Sequence, residues 1–156
     1  MTVGVVQLYN QWGDILAGTA NNQWDSATAT HFGFLLAKSS YTPNDTHTTI
    51  ADLGTAGTNW INAGDGAPIQ VPSRAVDNSN GATQFKAGNA NFGASVTVSA
   101  KYLICFAGDP ASPQATDRLL FWQDLKTEGG EASSSSSDFN VQAPANNIWW
   151  QVNAQS

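Results

Sequence analysis

Histidine and cysteine, the residues that most often bind metals or attack substrates, are few and well separated in this sequence. The only histidines are His31 and His47, and a predicted strand and turn lie between them. Cys105 is the only cysteine and falls within an apolar stretch, where a thiol usually serves as packing. Because a zinc site needs several clustered ligands, the sequence predicts no metal centre, and one cysteine allows no intrachain disulfide.

The carboxylates favour turns and loops over an active site. Glu128 and Glu131 lie in a stretch rich in Gly and Ser, and many aspartates occupy turn contexts, where the side chain usually bonds its own backbone. These aspartates are Asp45, Asp65, Asp77, Asp109 and Asp138. The chain has no G-x-S-x-G nucleophile motif and no phosphate loop or dinucleotide fingerprint. We therefore expect a protein that is not an enzyme and needs no cofactor.

The low charge of the chain narrows the classes of partner. Only 12% of the 156 residues are charged, against about 25% in typical domains, and the net charge is −6. The six Lys and Arg residues are scattered singly, so no basic surface for nucleic acid is expected. No apolar run approaches the roughly 20 residues that span a bilayer, so a membrane is not an expected partner either.

The first segment has the spacing of an amphipathic helix, predicted over about residues 4–17. Its apolar positions follow the i, i+3, i+4, i+7 rule, and Gly18 is placed to end it. These positions are Val5, Leu8, Tyr9, Trp12, Ile15 and Leu16. Such a helix either packs on the core or docks on a neighbouring subunit.

The rest of the chain predicts short strands separated by turns. The clearest strands are 31–38, 95–107, 119–125 and 148–152, and Asn80-Gly81 is typical of a hairpin turn. Residues 127–138 combine Gly129-Gly130 with five serines and predict a flexible loop. One domain spanning 1–156 is therefore expected, a mainly β, antiparallel β-sandwich of jelly-roll or immunoglobulin-like type with one N-terminal amphipathic helix. That helix is expected to cover the second face of the 95–107 strand.

Several pieces of the sequence together resemble one family. They are the opening helix with its Gly stop (Tyr9–Gly18), the link Gln23-Trp24-Asp25, the strand Phe32–Lys38 with Ser39–His47 after it, Thr97–Phe106, and the tryptophan-bearing end. The sequence is similar to tailed-bacteriophage virion structural proteins, including small capsid decoration (cement) proteins. The likeness covers most of the chain, is weaker between about residues 54 and 90, and is most distinctive at Tyr41–His47.

The resemblance implies binding without catalysis or cofactor. It points to a capsid decoration protein that binds the major capsid protein on the outside of the shell, as a homotrimer, on the virion surface after a stay in the host cytoplasm. The alternatives are a protein of the tail or head–tail junction and, from another class, a lectin-like carbohydrate-binding module using exposed tryptophans. The candidate interface residues are Trp12, Trp24, Tyr41, Pro43, Asn44, Asp45, His47, Trp60 and Trp149.

Overall fold

A computed structural model describes residues 2–11, 24, 31–78 and 81–153 of the chain, without the side chain of residue 153. The described residues are mainly β, with antiparallel sheets. Their strands are β1 (Val6–Leu8), β2 (Phe32–Ala37), β3 (Ile69–Gln70), β4 (Ala75–Asp77), β5 (Ala82–Lys86), β6 (Ala90–Asn91), β7 (Val96–Ala100), β8 (Tyr102–Ala107), β9 (Arg118–Asp124), β10 (Ala132–Ser137), β11 (Asn140–Val141) and β12 (Ile148–Asn153). Two short 3-10 helices are also described, Ile50–Leu53 and Ala145–Asn147.

The largest sheet has five strands in the order β1-β9-β8-β2-β3. The smaller sheets are β12-β5-β4, with three strands, and β10-β7 and β11-β6, with two strands each. Strand β2 lies inside the five-stranded sheet, and all six of its residues are buried. That burial explains its unbroken apolar sequence, since a strand covered on both faces has no solvent side on which to place polar residues.

The two faces of the five-stranded sheet pack into separate cores. One face contributes Phe34, Leu103 and Phe121 to the larger core, which also contains residues of β5, β7 and β12. The other face contributes Leu35, Ile104, Phe106 and Leu119 to the second core, which also contains Tyr9, Tyr41, Ile50, Leu53 and Trp60. The face for which the sequence predicted an N-terminal helix is the one with Leu103 and Cys105, and it lies in the larger core. The connection after β2, together with Tyr9, covers the opposite face.

The predicted strand 95–107 is two strands that belong to different sheets. β7 pairs with β10, whereas β8 pairs with β2 and β9. The change occurs at Lys101, whose backbone N–H donates to the Ala37 carbonyl at 2.8 Å. A strand that bends and changes sheets makes a corner in the architecture. The period-two pattern continues through the bend, which is why the sequence alone showed one strand.

The N-terminal helix prediction is wrong where the structure describes that segment. Val6–Leu8 form β1, an edge strand paired antiparallel with β9, and no helix of seven or more residues occurs among the described residues. Val5 is 74% exposed, although the helical pattern placed it in the core. The β-branched residues at positions 3, 5 and 6 favour a strand once β9 offers an edge. Positions 12–17 of the predicted helix lie outside the described residues.

The predicted 127–138 loop is only partly a loop. Ala132–Ser137 form β10, with a register irregularity between Ser134 and Ser137. The Ser134 hydroxyl donates to the Val96 carbonyl at 2.9 Å and accepts from the Val98 N–H at 3.3 Å. Serine side chains thus complete the pairing at this irregularity, so a composition typical of a flexible linker forms a strand here.

The hairpin prediction is confirmed at the level of pairing. β4 and β5 pair antiparallel with Asp77 opposite Gln84 and Val76 opposite Phe85. This register is the one that a two-residue connection at Asn80-Gly81 requires. Gly81 has a φ of 72°, which suits such a turn, whereas Ser79 and Asn80 lie outside the described residues.

Candidate functional site

Three tryptophans of the predicted interface are buried. Trp24, Trp60 and Trp149 are 1%, 6% and 3% exposed. Their indole N–H groups donate to the carbonyls of Lys86, Gly54 and Ala87, at 2.8, 3.3 and 3.1 Å. A ring packed in the core offers no face to a partner or a sugar, so the structure gives no support to the prediction that these three residues anchor a surface contact. Trp12 lies outside the described residues.

The predicted stretch Tyr41–His47 is a tight surface turn with a buried first residue. The Asn44 side-chain oxygen accepts from the Thr46 N–H at 3.0 Å and the Thr46 hydroxyl at 2.8 Å. The His47 N–H donates to the Asn44 carbonyl at 2.9 Å. Asn44 and Asp45 are exposed and Pro43 is half-buried. Asn44 thus keeps the turn in shape by bonding within it, which is the ordinary role of Asn in turns.

Tyr41 and His47 belong to a three-membered hydrogen-bond chain with Tyr9. The Tyr41 hydroxyl lies 2.9 Å from the Tyr9 hydroxyl and 2.9 Å from Nδ1 of His47. Tyr9 is fully buried, Tyr41 is 3% exposed, and His47 is half-buried at the surface end. Burial raises the pKa of Tyr41 to about 12, and burial next to Tyr41 raises the pKa of Tyr9 further. Both phenols therefore stay protonated at neutral pH.

The same region holds the end of the N-terminal segment. The Asn10 N–H donates to the Asp45 carbonyl at 2.9 Å, and the Tyr9 N–H donates to the Leu120 carbonyl at 3.1 Å. The Gln11 amide donates to the Thr48 carbonyl and accepts from the Arg118 guanidinium at 3.1 and 3.2 Å. Residues 9–11 are consequently attached both to the 41–48 turn and to β9.

Asp52 fixes the other end of this turn. Its carboxylate accepts the Thr48 N–H at 2.7 Å and the Thr49 N–H at 3.0 Å, where the 3-10 helix Ile50–Leu53 begins. These backbone hydrogen bonds favour the ionised form and lower the pKa of Asp52. The carboxylate is thus a structural anchor at the start of a helical turn.

A different surface has the features of a binding site, and the sequence prediction missed it. A groove of about 690 Å³ runs between the edge strands β1 and β12. It is lined by Val3, Gly4, Val5, Val6, Leu8, Gln123, Gln142, Ala143, Pro144, Trp149, Trp150 and Gln151. Among the described residues, the large hydrophobic side chains that remain exposed are Val3, Val5 and Val152. Two of them, Val3 and Val5, line the groove, and the third, Val152, follows the lining residue Gln151 on β12.

Two residues of the groove carry unpaired polar atoms. The indole nitrogen of Trp150 and the side-chain oxygen of Gln123 are buried with no hydrogen-bond partner. The Gln123 amide nitrogen does have one, the Gly4 carbonyl of the N-terminal segment at 2.9 Å. Buried polar atoms are nearly always paired in folded proteins.

The groove was hidden from sequence reasoning because one wall was assigned to a helix. On a helix, Val5 belongs to the core-facing stripe, whereas on strand β1 it is exposed. The available signal was the cluster of β-branched residues at positions 3, 5 and 6. Valines at alternating positions 3 and 5 share one face of an extended chain, which a strand interpretation would have shown.

The described residues contain no assembled metal site. Within ranges 2–11, 31–78 and 81–153 and at residue 24, no three His, Cys, Asp or Glu side chains come together to hold an ion. No helix among these residues has the length and apolar character that crossing a bilayer requires.

Comparisons with protein-family models, with curated proteins and with solved structures find no match to this chain. The geometry of the groove and the resemblance described above are therefore the two grounds on which a function is proposed.

Proposed function

We propose that this protein is a virion structural protein of a tailed bacteriophage, acting as a capsid decoration (cement) protein on the outside of the major capsid shell. The observation that carries this proposal is the apolar groove between β1 and β12, in which the lining residue Val5 is 74% exposed. Contiguous exposed apolar surface is typical of a site of protein–protein contact. The family resemblance supplies the identity of the partner, the major capsid protein.

The proposed action is binding without turnover. A decoration protein that binds only the assembled shell stabilises it by mass action. Apolar side chains such as Val3 and Val5 gain free energy when water leaves them, and the low charge of the chain leaves few ions to desolvate. We also propose a homotrimer, since closed rotational symmetry is usual for such oligomers and a trimer suits the threefold positions of a capsid.

The architecture we propose for this role is a β-sandwich of jelly-roll or immunoglobulin-like type within a single domain. Supporting it, the larger core is shared by the five-stranded sheet and by residues of β5, β7 and β12. The carbohydrate-binding alternative depends on exposed tryptophans. Trp24, Trp60 and Trp149 are buried, so no observation favours that alternative.

Co-sedimentation with capsids that lack the protein tests the proposal. We expect the recombinant protein to bind with saturation and to raise the temperature at which the capsids open. A variant carrying Val3→Ser and Val5→Ser should bind at least about tenfold more weakly, because buried apolar surface is lost. Ala111→Ser, an exposed apolar-to-polar change away from the groove, should bind like the wild type.

Imaging of labelled virions separates the shell from the tail. Label distributed over the capsid supports the proposal, and label confined to the tail or to one vertex overturns it in favour of a tail or head–tail junction protein. Equal binding by the Val3/Val5 variant and the wild type would overturn the assignment of the groove. Light scattering of the free protein tests the trimer.

A further inference from the structure

The chain Tyr9–Tyr41–His47 is nearly sealed from water at one end and reaches the surface at the other. Tyr9 is fully buried, Tyr41 is 3% exposed and His47 is half-buried. The three polar atoms, two hydroxyl oxygens and Nδ1 of His47, form two hydrogen bonds of 2.9 Å each. The number of hydrogens available for these two bonds depends on the protonation of His47.

When His47 is neutral and carries its hydrogen on Nε2, each hydroxyl hydrogen in the Tyr9–Tyr41–His47 hydrogen-bond chain has an acceptor. Nδ1 is then an acceptor, since a neutral imidazole has one donor and one acceptor nitrogen. Tyr41 donates to Nδ1, and Tyr9 donates to the Tyr41 oxygen. Two hydroxyl hydrogens fill two hydrogen bonds, and no buried donor is left over.

With a protonated His47, the chain has one hydrogen too many. Both imidazole nitrogens are donors in the cation, so Nδ1 must donate to the Tyr41 oxygen. Either Tyr41 then donates to Tyr9, or Tyr9 donates to Tyr41. In each case one of the two buried hydroxyls lacks an acceptor among the described residues, and an unpaired buried donor is unfavourable.

The charged and titratable groups around His47 come from four elements. Its own turn contributes Asp45, which is exposed, and the 3-10 helix contributes Asp52, whose carboxylate interacts electrostatically with His47. β9 contributes Arg118, which is engaged with Gln11, and β8 contributes Tyr102, whose ring packs edge-on against Tyr41. When His47 is protonated, the excess hydrogen acts on the buried tyrosines.

We propose that His47 is a pH-sensitive latch for the N-terminal strand. Protonation of His47 weakens the attachment of Tyr9 and increases local opening of residues 6–11, which include β1. Because β1 forms one wall of the groove, the latch would also control that surface. The latch rests on the hydrogen-bond geometry alone and stands whether or not the groove binds a capsid.

Hydrogen exchange of the free protein tests the latch. The measured quantity is the opening constant of the Tyr9 and Val6–Leu8 amides, corrected for the intrinsic pH dependence of exchange. From about pH 7.5 to about pH 5.5, across the ordinary titration of imidazole, we expect it to rise at least about fivefold, the low end for an unpaired buried donor. Amides of β2, which lies inside the sheet, should not change. An unchanged opening constant for Tyr9 would overturn the latch.

Variants separate His47 from other groups that titrate. His47→Gln keeps a hydrogen-bond acceptor for Tyr41 but does not titrate in this range, and its opening constant should be independent of pH. His31→Gln, which removes the only other histidine, should retain the full pH response. The same response in His47→Gln would overturn the proposal.

Nitrogen NMR of the wild type tests the starting state without any substitution. At neutral pH, Nδ1 of His47 should have the chemical shift of an unprotonated acceptor. A hydrogen on Nδ1 at neutral pH would contradict the proposal, because the chain would already hold its extra hydrogen and could not switch.

Discussion

Gly33 shows how a single missing side chain sets the packing of the sheet. It lies in β2 directly opposite Phe106 of β8, and the Phe106 ring occupies the space above it. A Cβ at this position would lie inside van der Waals contact with the ring and 3.0 Å from Pro110. A glycine in a buried strand often marks such a close approach.

Gly33→Ala should therefore destabilise the fold. We expect the free energy of unfolding to fall by about 1–3 kcal/mol, as is usual when a methyl group is forced into a packed core, measured by urea denaturation. Gly88→Ala is the matched control, since its new Cβ would meet no atom closer than 3.5 Å. Equal stability of the two variants would show that the ring moves aside freely.

Glu131 illustrates a carboxylate whose hydrogen bonds outweigh its burial. Burial raises its pKa, but the Ser39 N–H at 2.7 Å, the Ser39 hydroxyl at 2.8 Å and the Ser99 hydroxyl at 2.6 Å stabilise the ionised form, and the net pKa is lowered. These bonds join the connection after β2 to β7.

A pH dependence of stability follows from Glu131. Since its folded pKa is lowered, its stabilising contribution is present above the ordinary glutamate value of 4.5 and is lost as the pH falls through the folded pKa. Glu131→Gln should therefore reduce the unfolding free energy near neutral pH. The difference from the wild type should shrink as the pH falls below 4.5 and through the folded pKa of Glu131. Asp138→Asn, a change at an exposed carboxylate, should give a curve closer to the wild type. A difference for Glu131→Gln that grows in acid would contradict this assignment.

At the scale of elements, the corner between β7 and β8 depends on Lys101. Its ammonium group lies 2.9 Å from the Asp124 carboxylate and also donates to the Lys126 carbonyl. The Lys101 side chain is 11% exposed, so it holds the bend between two sheets from a position largely removed from water.

Lys101→Met should cost more stability than the same change at Lys86. Lys86 also forms an ion pair, with Asp77 at 2.6 Å, but both side chains of that pair are more exposed, at 26% and 30%. We expect a loss of about 1.5–3 kcal/mol for Lys101, where charged hydrogen bonds are buried, and at most about 1 kcal/mol for Lys86. Urea denaturation of both variants measures this. A larger loss at Lys86 would contradict the role given to the corner.

The accuracy of sequence prediction differed between interior and edge elements. The strands with buried faces were predictable because burial requires apolar residues, which appear as long apolar or alternating segments. These strands are β2, β8, β9 and β12. β1 and β10 were not, because their pairing depends on an edge offered by β9 or β7, which local sequence does not encode. The groove was missed for the same reason. The groove forms only when β1 lies beside β12, and the sequence did not predict β1. The tryptophans predicted as interface anchors at positions 24, 60 and 149 pack in the cores.

At the scale of the whole molecule, low charge sets the expected character of binding. With 12% charged residues and an apolar groove, the proposed contact releases water from apolar surface and pairs few ions. Such binding differs from contacts between charged surfaces, which salt screens.

Capsid binding should therefore depend weakly on salt. Between about 0.05 and 0.5 M NaCl, where the screening length shortens severalfold, we expect the dissociation constant to change less than about threefold. Titration of capsids with labelled protein measures it. A steep weakening with salt would show that the scattered charges, and not the groove, make the contact.

The single thiol has a practical consequence for measuring how this molecule opens. Cys105 is fully buried in β8, and burial raises its pKa well above the ordinary thiol value, so it reacts slowly while the sheet is closed. A thiol reagent added in native buffer can modify it only after β8 has opened. The modification rate thus reports on the interior of the five-stranded sheet, whereas exchange at Tyr9 reports on its N-terminal edge. Both rates can be measured on the same unlabelled protein, and their ratio distinguishes release of the N-terminal edge from unfolding of the whole fold.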